Sequence, residues 1–120
     1  KPDVVMLAYS GRDLEWHRRE YFSLRFNLLY GGYDYCIIQQ AAHPYPPVNS
    51  TLEIGGEIID LCHRCGVKPV VYMTWAEKRF PQNQQIMIDT CEKLAEIKGL
   101  SVEECARITL ENGKRFFRIK

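Results

Sequence analysis

The sequence predicts a three-layer α/β fold with three parallel strands and helices on both faces, in the order β-α-β-α-β-α-α. Three observations predict it. Continuous apolar runs stand at Val4–Ala8, Tyr35–Ile38 and Pro69–Trp75, the pattern of strands buried on both faces of a parallel sheet. Helical periodicity fills the intervals between the runs. Glycines and helix-capping residues mark the joints between the two kinds of pattern.

In chain order, Val4-Val5-Met6-Leu7-Ala8 is the first strand, and Tyr9-Ser10-Gly11-Arg12-Asp13 is a strand-to-helix turn with Asp13 as N-cap. Leu14 to about Tyr30 reads as an uneven helix whose last part suits a second short helix, ended by Gly31-Gly32. Residues 34–40 form the second strand, and the prolines at 44, 46 and 47 exclude regular structure from the loop that follows. Asn49-Ser50-Thr51 spells a glycosylation acceptor, but Ser50 with Glu53 also forms a capping box, which starts a helix running to about Arg64. Gly66 stops that helix. Residues 69–75 are the third strand and 76–81 a loop. Residues 82–98 are a helix stopped by Gly99. Ser101 and Glu104 cap a short helix to about Asn112, after which Phe116, Phe117 and Ile119 close the chain against the body.

Composition narrows the function classes. At 120 residues the chain reads as one domain with a single core. A formal net charge of +1 supplies no field to draw nucleic acid or an anionic membrane. Lys114-Arg115 with Arg118 and Lys120 reads as a solvated helix end. No apolar run approaches the ~18 residues that span a bilayer. The five cysteines, an odd number, all lie inside strand or helix patterns. They predict free buried thiols in a reducing, cytoplasmic compartment. Cys62-His63-Arg64-Cys65 has no second C-x-x-C to complete a zinc site. It also stands at a helix C-terminus, where the dipole raises a thiol's pKa, so it reads as two core-facing thiols one turn apart. No metal and no cofactor is expected.

Residues from about 3 to 92 resemble the middle of an SGNH-type hydrolase, the GDSL-like esterase and lipase superfamily. The carrying residues are Ser10-Gly11 with Leu14-Glu15-Trp16-His17, then Gly32-Tyr33-Asp34-Tyr35 leading into Cys36-Ile37-Ile38-Gln39-Gln40, then Val67 to Trp75. The resemblance implies a flavodoxin-like sheet with chemistry at its C-terminal edge. It matches Gly11 to the second-strand glycine of the oxyanion hole and Gln40 to the third-strand polar group, where the family's usual asparagine is absent. It further implies that the chain begins at the family's second strand, without the nucleophile-bearing first strand. Residues 92–120 resemble the terminal helices of TatD-type metal-dependent deoxyribonucleases, through Glu92 to Glu104 and Glu111-Asn112-Gly113-Lys114-Arg115-Phe116-Phe117. That segment is structural in its family, so the metal site does not carry over. The three histidines are His17, His43 and His63; the aspartate–histidine pair of an SGNH site would fall where the TatD-like tail stands. Two partial resemblances joined near residues 90–99 suggest a chimeric or designed chain.

The functional expectation is a folded domain without a complete catalytic site. The alternatives are a weak esterase using Ser10 or His43 and a module binding a small polar ligand through Gly11, Gln39, Gln40, His43 and Glu77. A nucleophilic serine needs a base, an orienting group and an oxyanion hole together, and Ser10 lacks the G-x-S-x-G elbow. Because the family's first strand lies between the second and third, Val4–Ala8 is expected to pair directly with the 35–39 strand, or another chain fills the gap. A homodimer with strand exchange is therefore predicted.

Overall fold

The computed structural model describes residues 3–20, 22–41 and 47–97. Its elements are α1 (Leu14–Arg19), α2 (Ser23–Tyr30), β1 (Tyr35–Gln39), α3 (Val48–Arg64), β2 (Lys68–Tyr72) and α4 (Asn83–Ile97). The two strands are parallel, with Tyr35 opposite Lys68 and Gln39 opposite Tyr72. The protein is thus α/β with a parallel β1–α3–β2 crossover.

Local chemistry sets most of the boundaries. Asp13 caps α1: its Oδ1 accepts from the Trp16 amide at 3.0 Å. The helical pattern from 14 to 30 is broken into two helices, and Glu20 Oε2 accepts from the Ser23 amide at 3.0 Å at the start of the second. Gly31 ends α2, and Gly32 follows at φ 66°. The end of α3 is a Schellman turn: Gly66 takes φ 71°, its N–H donates to the His63 carbonyl, and the Val67 N–H donates to the Cys62 carbonyl. The predicted Ser50 cap is corrected. Helix α3 begins at Val48 with Pro47 as N-cap residue and no side-chain cap. Pro47 takes φ −53°, which presets the helix entry and moves the cap three residues earlier. The predicted Gly99 stop and the elements beyond it lie outside the described residues.

All four helices feed one core. Leu14, Leu28, Ile54, Ile58, Ile59, Cys62 and Leu94 pack with Ile38, Val67 and the partly buried Cys36. Each fully buried aliphatic side chain contributes about 1.5–3 kcal/mol. The stripe at Thr51, Ile54, Gly55, Ile58, Ile59 and Cys62 makes α3 the central helix. Gly55 lets α4 approach: a Cβ there would stand 3.4 Å from both Leu94 methyls.

The sheet is one-sided. Opposed residues of a parallel ladder point the same way, and alternate residues point opposite ways. Ile38, toward the core, is 5% exposed, whereas its neighbour Ile37 is 71% exposed. Ile37 shares its side with Tyr35, Val70 and Tyr72, all exposed. Among the described residues no helix covers that side.

The first predicted strand also differs. Residues 4–8 form no ladder, and Val4 and Met6 are 79% and 81% exposed. The run has the residues of a strand, but a strand exists only with a hydrogen-bonded neighbour. The two-stranded sheet ends at β1.

Candidate functional site

The C-terminal end of β1 gathers the residues that the sequence singles out, and Gln40 is its centre. The Gln40 side-chain oxygen accepts from the Leu14 amide at 3.2 Å and from its neighbour Ala41 at 2.8 Å. Its side-chain nitrogen donates to the Thr51 hydroxyl at 3.3 Å. One amide therefore ties β1 to the first residue of α1 and the first turns of α3, using three of its four hydrogen-bonding positions. The cavity lined by Gln40, Thr51, Leu14 and Tyr72 holds about 30 Å³. That is room for a water molecule, far below the ~300–1,000 Å³ of a ligand pocket.

The other candidates do not converge on it. Ser10 and Gly11 are the central pair of a turn closed by Arg12 N–H to the Tyr9 carbonyl at 3.1 Å. Gly11 takes φ 70° there, the left-handed conformation that the third residue of a type II turn requires. Ser10 is exposed. Gln39 is exposed on the bare side of the sheet, one residue out of phase with Gln40. Glu77 is half-buried in the turn before α4, where its carbonyl accepts from the Phe80 amide at 2.9 Å. It does not line the cavity beside Gln40. His43 lies outside the described residues.

Thr51 is the residue that sequence reasoning missed. It stands beside the predicted Ser50 cap, yet it is 3% exposed and carries the far end of the Gln40 strut. Its spacing is the available signal, since 51, 54, 58 and 62 fall on one helical face.

Beside the mouth, Tyr9, Trp16 and His17 form an aromatic cluster, with ring centroids 4.7 Å apart for Tyr9–Trp16 and 5.1 Å for Trp16–His17. The Arg12 guanidinium lies 5.7 Å from the Trp16 ring centre. Burial pushes the His17 imidazole below its ordinary value, against the opposing pull of Glu20 and Asp13. The folded state therefore favours neutral His17. Its stability contribution is full above the ordinary histidine value of about 6.5 and is lost as pH falls through the lower folded value. We expect the urea midpoint to fall between about pH 7.5 and about pH 5.5, and His17→Phe to flatten that slope.

Toward the opposite end of the sheet, the Cys36 and Cys62 thiols interact: the interaction with Cys62 pulls Cys36 below its ordinary value, and the same interaction, with burial and the nearby Cys65 sulfur, pushes Cys62 up. Cys36, Cys62, Cys65 and Cys91 are free thiols. Among the described residues, no group of three or more His, Cys, Asp or Glu is arranged to hold a metal ion.

A second hollow, of about 630 Å³, lies where Arg18, Arg25, Glu57, Asp60, His63 and Arg64 border the helices. Its central cation is already engaged: Arg18 sits 2.7 Å from Glu15 and 3.2 Å from Glu57. The guanidinium of Arg18, joined by Arg19, holds the Glu15 carboxyl below the usual carboxylate range. This is a charged seam between α1 and α3, in which Arg18 bridges Glu15 and Glu57.

No protein-family model, curated protein or solved structure matches this chain.

Proposed function

We propose that the chain is a structural α/β module without ester-hydrolase activity, a chimeric or fragment-derived fold whose third strand and second helical layer are completed by association. The observation that carries this reading is the commitment of Gln40. An oxyanion-hole donor must point at the place where charge develops. The Gln40 amide instead joins three elements of its own chain beside a cavity the size of a water molecule. Ser10 stands exposed in a turn and lacks the strand-to-helix nucleophile elbow. The small cavity equally disfavours the binding of a polar ligand at this mouth. Four free thiols suit a reducing compartment, and no helix among the described residues is long and apolar enough to cross a membrane.

A nitrophenyl-ester assay tests the reading. Wild type, Ser10→Ala and His43→Ala are expected to release nitrophenol at the same background rate. A wild-type rate that either substitution abolishes would assign that residue to a working hydrolase and overturn the proposal.

A further inference from the structure

Resting on the reading of this chain as a module completed by association, we infer that its partner is a second copy, which pairs residues 4–8 with the free edge of β1 and covers the bare side of the sheet. The backbone supplies the first argument. The edge of β1 away from β2 has no strand beside it among the described residues. Residues 4–8 make no described hydrogen bond, although all five are apolar and neither charge nor proline interrupts them. Proteins that keep sheet edges single protect them with lysine, proline or bulges. Tyr35-Cys36-Ile37-Ile38-Gln39 carries none of the first two. Among the described residues, then, an unpaired edge and an unpaired strand-forming run have the same five-residue length.

Area supplies the second argument. Val4, Met6, Tyr35 and Ile37 are largely exposed, and Val70 and Tyr72 nearly half so. Together they present roughly 650 Å² of side-chain surface, close to the ~800 Å² that each partner buries in a standard interface, before the strand backbone is counted. Charge supplies the third. Lys68 is the one charged residue of the two strands, and its ammonium is held 5.7 Å from the Tyr35 ring centre. A net charge of +1 gives two copies little repulsion.

The Leu14 amide is fixed to Gln40 at the C-terminal mouth of β1, and Val4 and Met6, upstream of it, are exposed to solvent. In a two-fold pair each copy gives its run to the other's β1 and receives one in return. The contact is reciprocal, so it closes at two.

Light scattering and sedimentation equilibrium on the full chain test this. A species of twice the 14.0 kDa chain mass is expected. Ile37→Lys and Val5→Asp should each weaken it at least tenfold while leaving far-ultraviolet circular dichroism unchanged, because both positions are exposed in the single chain. Phe26→Lys, on α2, should leave the dimer intact. A monomer across the micromolar range would overturn the inference, and in that monomer slow amide exchange along β1 would identify residues 98–120 of the same chain as the cover. A dimer indifferent to Ile37→Lys and Val5→Asp, or one broken by Phe26→Lys, would also overturn it. None of these outcomes depends on esterase activity, so the two proposals fail separately.

Discussion

Replacing Gln40 with leucine is expected to destabilise the fold by about 2–4 kcal/mol, with no catalytic phenotype. Leucine keeps much of the volume but removes both the acceptor for the Leu14 and Ala41 amides and the donor to Thr51. Each buried polar group left without a partner costs about 1–3 kcal/mol, and the Thr51 side chain is buried. The measurement is a urea titration in which the midpoint falls and the slope is unchanged, the signature of lost stability without a change in the surface exposed on unfolding. Gln40→Glu separates the roles of the two ends of the amide. Its carboxylate can still accept from the two backbone amides, and the Thr51 hydroxyl can turn to donate. At neutral pH it should therefore retain most of the stability that leucine loses. If leucine is tolerated at less than about 0.5 kcal/mol, the strut is not what holds α1 and α3 to β1.

The second large effect is a contrast between adjacent residues. Ile38→Ala is expected to cost about 2–5 kcal/mol, the range for emptying an aliphatic side chain out of a packed core. Ile37→Ala, one residue earlier on the same strand, should cost less than about 0.5 kcal/mol when measured at concentrations where the chain is monomeric. Ile38 packs among Leu14, Ile54, Ile58 and Leu94, while the Ile37 side chain meets solvent. Equal costs at the two positions would mean that both sides of the sheet are covered within a single chain.

The sequence made some of this legible and hid the rest for identifiable reasons. Asp13, Gly31, Gly66 and the β1–α3–β2 order can be read from the residues because caps, glycine conformations and apolar runs act within a few positions of one another. The α3 core stripe is legible for the same reason, since helical spacing alone places Ile54, Ile58 and Cys62 on one side. The run at Val4–Ala8 illustrates the limit. Its composition says strand, but a ladder needs a neighbour, and neighbours are set by distant parts of a chain or by another chain. Continuous apolarity at Tyr35–Ile38 predicted cover on both faces, and the structure shows one face packed and the other bare among the described residues. The pattern reports that burial is wanted and is silent on what supplies it. Gln40 was legible as a polar residue at a strand end. Its use as a strut was not, because Leu14 and Thr51 come from 26 residues before it and 11 after it. Such a site resembles an active-site wall in one dimension and becomes a structural tie in three.

Helix α3 touches α1, α2, α4 and β2, whereas the remaining helices meet one another sparingly. Cooperativity in this chain is therefore routed through a single element. Loosening α1 or α4 removes one contact surface and leaves the other elements seated on α3. Loosening α3 unseats α1, α2 and α4 together, while the β1–β2 ladder keeps its own hydrogen bonds. Mutational tolerance should follow the same geometry, broad over the outer helices and narrow along the Thr51–Cys62 stripe. Any insertion that shifts that stripe by one residue would misalign every neighbour at once, so the length of α3 is a tighter constraint on this fold than the identity of most of its surface.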